Sequence, residues 1–365
     1  MYHEYTNNPI ETDIIKLETN ENSTFILKNH NSFQERISNY KNCNLIPYNF
    51  YIPFFKGNII KDCSGLYDNK INLSIKRTIQ EKIELVGSFF YMDDAWCGNF
   101  HHWITDYIPK IITFVKLKKE LKNLKLLINR AFLDKNEIYK LLENLCDIKD
   151  IVFLDKYQTT EYLVSNLYIV NPTSCYVLDP NPKYYLESYH RESHEFFLNK
   201  FYDSDYKEKY EKVYISRYEN SKKPGGTRKI LNIIEVHKFF EHFNYKIINT
   251  DLLSLYDRIN IFSRTNILCG EHGGGINHLY FMKPNTKCCI ISYPNLNYNN
   301  QWIEYGLKYG INVFDLHNCS SLMNDKYVFK YPIHENINFN IQSTSKSWCL
   351  DLYEIENLMN QYQIL

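Results

Sequence analysis

Residues 269–284 read CGEHGGGINHLYFMKP, and four of the chain's 12 glycines fall within six of those positions, 270–275. Ile267, Leu268 and Cys269 lead in as a short strand end, and Ile276 to Met282 restarts with helical spacing before Pro284 stops it. Without a Cβ, the glycines of such a strand-to-helix turn reach positive φ and let the backbone approach a ligand closely. The free N–H groups of the following helix then point at the occupant of the turn. An anion is the natural one, and His272 can donate a hydrogen bond to it. The pattern is neither GxGxxG followed by an acid about 20 residues on nor a GK[ST] phosphate loop. Taken alone, it fits a tight structural turn as well as a phosphate site.

Outward from the turn, short apolar runs alternate with helical segments. On the C-terminal side of the chain these are KVYIS (212–216), a helix near 230–243, KIIN (246–249), a helix near 251–263, NILCG (266–270), KCCIIS (287–292) and NVFDL (312–316). Upstream, a helix over 99–122 precedes LKLLIN (124–129), a helix over 135–147, IVFL (151–154) and LVSNLYIV (163–170). That alternation is the signature of a parallel sheet with helical crossovers. Between the two series, 183–211 reads as a polar, aromatic helix and a hinge. The first ninety residues, with stretches such as LIPYNFYIPFF (45–55), show no strong period and read as irregular β structure. The division expected is an N-terminal domain over 1–205, a ligand-binding domain over 206–345 and a terminal helix over 346–365.

Composition narrows the function. Lys+Arg and Asp+Glu both total 42 in 365 residues, so no global field draws nucleic acid or an acidic membrane surface. A phosphate-bearing ligand would need a local positive cluster. The 10 cysteines form no CxxC pair, which excludes a zinc ribbon or thioredoxin motif and points to reduced thiols. The N-terminus lacks a signal-peptide layout and no apolar run is long enough to span a membrane. A soluble protein of the cytoplasm, or of a host cytosol, is expected. Tyr 32 and Phe 22, with abundant Asn, Ile and Lys, fit an AT-rich genome better than a functional demand.

Two further clusters bear on the glycine turn. In CGNFHHWITDYIPKIITFVK (97–116), Asn99 is a good N-cap, and Asn99, His102 and Asp106 fall within one narrow helical sector. Ile104, Ile108, Ile111 and Val115 lie opposite, towards the core. An ordinary solvated face is the bland alternative, but such faces usually carry Lys and Glu. In VYISRYENSKKPGGTRKILNIIEV (213–236), the strand delivers Ser216 and Arg217 at a carboxyl end, where open α/β sheets bind ligands. Arg228 follows a Pro-Gly-Gly turn, and arginine's fixed fork suits phosphate oxygens.

These segments, in this order and spacing, resemble glycosyltransferase family 61. Asn99, His102 and Asp106 match its first motif; Ser216, Arg217, Arg228, Asn232 and Glu235 match its second. Gly270, His272, Gly273, Gly275 and Phe281 match its glycine turn. Gly274 stands where the family usually has Ala, Asn277 where it has Thr or Ser, and Ile233 where an acid follows the Asn. Ile291-Ser292 replaces a frequent strand-end Glu. The resemblance covers roughly 90–315 and implies an α/β enzyme of GT-B type, with two Rossmann-like domains facing a central cleft. It implies inverting transfer of a hexosyl, pentosyl or N-acetylhexosaminyl group from a UDP-sugar to a glycan or protein hydroxyl. Ser216, Arg217, Arg228, Gly270, His272, Gly273, Gly274, Gly275 and Asn277 would hold the donor. His102 and Asp106 would serve as base and orienter, and Asn99, Asn232 and Glu235 would have structural roles. No prosthetic group and no metal are expected, because cationic side chains would meet the leaving diphosphate. Asp203-Ser204-Asp205 has the letters of a metal-binding Asp-x-Asp but sits in what reads as a charged helical stretch. The remaining alternative is a catalytically degenerate nucleotide- or glycan-binding scaffold.

Overall fold

The structure, a computed structural model, describes residues 13–18, 23–28, 34–47, 51–55, 58–59, 79–92, 104, 107–129, 142–143, 146–155, 159–170, 174–175, 185–186, 189–218, 230–292, 300–316, 320–321 and 349–365. The chain divides into two compact units, Met1–Asn199 and Lys200–Leu365.

The first unit is built on a nine-stranded mixed sheet. Its strands are β1 (Asp13–Glu18), β2 (Ser23–Lys28), β3 (Gln34–Pro47), β4 (Tyr51–Phe55), β5 (Asn58–Ile59), β6 (Glu81–Tyr91), β7 (Leu124–Asn129), β8 (Ile151–Leu154) and β9 (Thr160–Val170). The order is β1-β2-β3-β9-β6-β7-β8, with β4 and β5 off this path. Strands β9, β6, β7 and β8 run parallel, and β3 adds an antiparallel half through β9. Where they are described, β1 to β5 are regular antiparallel β structure rather than irregular. In β3 the buried residues Ile37, Asn39, Cys43 and Leu45 all take odd positions, the period of a one-sided strand. Helix α1 (Ile108–Glu120) packs on β7 with Phe90 and Phe114 5.8 Å apart between their ring centres. Ile104 and Tyr107, just ahead of it, are π-helical. The expected start at Asn99 and most of the expected helix over 135–147 lie outside the described residues. A two-residue pair, β10 (Ser174–Cys175) with β11 (Tyr185–Leu186), precedes α2 (Tyr189–Phe201).

Helix α2 ends at Phe201, well short of 211, so Asp203-Ser204-Asp205 is a turn and not helix. Asp203 Oδ1 accepts from the Asp205 amide at 2.9 Å, and Oδ2 accepts from the Tyr256 hydroxyl at 2.5 Å. The hydrogen bonds from Tyr256 and Asp205 lower the Asp203 pKa, so its carboxylate is engaged in shaping this corner.

The second unit carries a five-stranded parallel sheet: β12 (Lys212–Ile215), β13 (Lys246–Ile248), β14 (Ile267–Glu271), β15 (Lys287–Ile291) and β16 (Asn312–Leu316). Its order is β13-β12-β14-β15-β16, the doubly wound arrangement 2-1-3-4-5. Such strands are covered on both faces and read as continuous apolar runs. On one face α3 (Ile233–His242) buries Ile233, Val236 and Phe240 against Tyr214, Cys269 and Cys289. Helix α6 (Leu352–Gln361), capped by Asp351, adds Ile355 and Met359 to the same cluster. On the other face lie α4 (Leu255–Phe262), closed by a Ser254–Asp257 capping box, and α5 (Asn300–Tyr309), where Gly306 meets Val313. Two short strands, β17 (Ser320–Ser321) and β18 (Cys349–Leu350), pair antiparallel. The terminal helix thus begins at Leu352, and Cys349–Leu350 are strand instead. None of the described helices is long and apolar enough to cross a membrane.

Candidate active site

In a 2-1-3-4-5 sheet the strand order reverses between the first and third strands, and ligands bind outside their carboxyl ends. Here those strands are β12 and β14. Ser216 and Arg217 follow the first, and Glu271 to Gly275 end the second. Two motifs 55 residues apart are thereby joined: Arg217 Nη1 donates to the His272 carbonyl at 3.4 Å.

Ser216 is held from three sides. Its amide donates to Ile248 O at 2.9 Å. Its hydroxyl oxygen accepts from the Tyr218 amide at 3.2 Å and meets His237 Nε2 at 2.7 Å. Burial lowers the His237 pKa, partly countered by Glu241, which favours a neutral imidazole beside the hydroxyl. No spacing rule links Ser216 to His237; the pair exists because α3 returns across the sheet face above β12.

Gly273 has φ 144° and ψ −172°, a region essentially closed to residues with a Cβ. After it comes a 3₁₀ helix, Gly274–Phe281, rather than the α-spaced helix expected. Gly274 and Gly275 open it with the residue least suited to α-helical propagation except proline. Its first bond runs from the Ile276 amide to Gly273 O at 2.9 Å, so the amides of Gly274 and Gly275 precede the ladder. Two other glycines serve close packing. A Cβ on Gly275 would stand 3.0 Å from Ile215 Cγ2, and one on Gly270 3.3 Å from Ile276 Cδ1. His278 fixes the far side of the turn, with Nδ1 2.7 Å from Gly275 O. Burial, with the nearby Arg258 charge, pushes its pKa down to about 3, so this histidine is a neutral structural donor.

His272 is buried, its amide donates to Ile291 O at 3.0 Å, and its ring lies edge-on to Trp302 at 5.0 Å. The indole of Trp302 donates to Asn277 Oδ1 at 2.7 Å. Asn277 is fully buried, with that oxygen turned to the protein interior. Asn232 pairs both ways with the backbone of Leu350, giving its amide hydrogen to Leu350 O at 2.8 Å and accepting from Leu350 N at 3.0 Å. It ties the start of α3 to β18. Glu235 is half-buried in the first turn of α3.

One residue of the turn escaped the sequence reading: Glu271, between Gly270 and His272. It is 3% exposed, and the Tyr214 hydroxyl donates to its Oε1 at 2.5 Å. Burial pushes its pKa up to about 7, against the opposing effects of that hydrogen bond and of Arg217. An acid ending an otherwise apolar strand, ILCGE, was the available signal.

Asn99, His102, Asp106 and Arg228 lie outside the described residues. Of the apolar set expected to face the core, Ile104, Ile108 and Ile111 are buried and Val115 is half-buried. Residues 107–114 are buried without interruption, Lys110 included, so this part of the helix has no solvated stripe.

A family model described as Glycosyltransferase 61 matches residues 100–289, just over half of the chain. The match spans the described part of the helix at 104–120, the switch-point strands and the glycine turn. No curated protein matches the chain.

Proposed function

The chain belongs to glycosyltransferase family 61, and we propose that it transfers a sugar from a UDP-sugar to a hydroxyl of a glycan or protein acceptor, with inversion. The carrying observation is the convergence of Arg217 and the amide-bearing Gly273–Gly275 turn at the switch point, joined through the His272 carbonyl. A diphosphate leaving group concentrates negative charge as the glycosidic bond breaks, and groups fixed in advance stabilise that charge best. Arg217, the glycine amides and His272 are such groups, and Arg228 joins them in this reading. The acceptor hydroxyl must lose a proton as it attacks the anomeric carbon. We assign that proton to His102, with Asp106 as its orienter. The two units then act as the halves of a GT-B enzyme, with the nucleotide on the second.

Calorimetric titration with UDP tests the donor assignment. Arg217→Ala should weaken binding by about 1.5–3 kcal/mol, the range for hydrogen bonds to charged groups. Unchanged affinity would remove Arg217 from the site. Metal independence is the companion expectation, since cationic side chains and backbone dipoles take the place of a cation. Activity in excess EDTA should stay within about twofold of the untreated value, an estimate resting on those groups. Strict Mn²⁺ dependence would return attention to the acidic side chains.

A further inference from the structure

Behind Arg217 lies a buried carboxyl whose chemistry is only half used. Glu271 shares a sheet face with Tyr214, since Tyr214 is in register with Cys269 and Glu271 lies two residues on. The Tyr214 hydroxyl takes Oε1, while Oε2, also buried, has no hydrogen-bond partner among the described residues. Arg217 mirrors this: Nη1 is on the His272 carbonyl, and its buried Nε has no partner among the described residues. The Arg217 charge and its backbone amide both favour the ionised carboxylate. Among the described residues, the other titratable groups around them are His237 on α3, Tyr218 after β12, Cys269 on β14, Cys289 on β15 and the adjoining His272.

We propose that Glu271 is a positioning residue for the donor, releasing the Arg217 charge to the diphosphate by taking up a proton as the nucleotide binds. This rests on the UDP site lying at the glycine turn. The physical basis is competition for one guanidinium. With Glu271 ionised, Arg217 is partly neutralised, and a carboxylate sits near the incoming phosphates. With Glu271 protonated, Arg217 faces the diphosphate alone. A bound anion therefore favours the protonated carboxyl, and its midpoint must rise on binding.

Linkage gives the sign. Free Glu271 titrates near 7, with burial as the largest cause, and the bound form titrates higher. Between those two values binding consumes a proton, so affinity falls as pH rises. The limit for one proton is about tenfold per pH unit. His237, whose pKa burial lowers, stays neutral throughout that window.

The test is UDP titration of the full chain by calorimetry from pH 7 to 8.5, in two buffers with different ionisation enthalpies. The wild type should show net proton uptake approaching one per UDP, and affinity falling with pH. Glu271→Gln should abolish both the uptake and the slope; the difference between the two proteins cancels any titration of UDP itself or of other groups. Tyr214→Phe, which removes a hydrogen bond to the ionised carboxylate, should move the wild-type slope to higher pH. Equal proton uptake in wild type and Glu271→Gln would overturn the proposal while leaving the UDP site intact. Should Glu271→Gln fail to fold, an unshifted Tyr214→Phe profile would overturn it instead. No UDP binding by the wild type would overturn the site assignment itself, and the proposal with it.

Discussion

Gly273→Val should reduce UDP affinity by about 10²–10⁴-fold, since two hydrogen bonds to a charged ligand at about 1.5–3 kcal/mol each are lost together. The cause is one dihedral angle. At φ 144° a β-branched residue clashes with its own backbone, so the peptide planes on either side must rotate. The amides of Gly274 and Gly275 come directly after, and their direction is what an anion would read. Gly274→Ala is the internal control: Gly274 is not at positive φ, and alanine keeps its amide. That variant should bind within a few-fold of wild type, as surface-like substitutions within about 0.5 kcal/mol do. Calorimetry reports the affinity and thermal melting reports the fold. A melting temperature that collapses in Gly273→Val would mark the turn as structural, and unchanged UDP binding would dismiss the amides as ligands.

The part of the molecule that carries this turn was also the part most legible in the sequence. Strands β12, β14 and β15 are covered on both faces, so each is an apolar run charged only at an end, and helical segments between them dictate parallel neighbours. Strand β3 hides its pattern. Polar Asn39 occupies a buried position and Lys41, in the same phase, is exposed, so the alternation of Ile37, Cys43 and Leu45 is interrupted twice. The site divides the same way. Arginines and glycines suggest the proposed phosphate site through their own constraints. Glu271, His237 and Trp302 matter through partners 57, 21 and 25 residues away, pairings that only the fold creates. The 3₁₀ geometry of Gly274–Phe281 was likewise beyond reach, because spacing at three and four residues looks alike over two turns.

His102→Ala should lower turnover by about 10²–10⁴-fold, the usual contribution of general-base catalysis, while UDP affinity stays within about twofold. The separation of effects is the informative part: the proposed base acts on the acceptor hydroxyl, and the proposed nucleotide site is built from groups after β12 and β14. The apolar residues interleaved with the motif and just beyond it lend structural support. Ile104, Ile108 and Ile111 are buried, and enclosure is complete over 107–114, so the helix after His102 and Asp106 is not one that lies loosely in solvent. Asp106→Asn should lose turnover as well if it orients the imidazole. Residues that act as a unit are non-additive, so the double variant should be scarcely worse than the worse single one. If the two act separately, their losses would multiply. Multiplying losses would confine Asp106 to a role of its own, and full turnover in His102→Ala would end the assignment of the base.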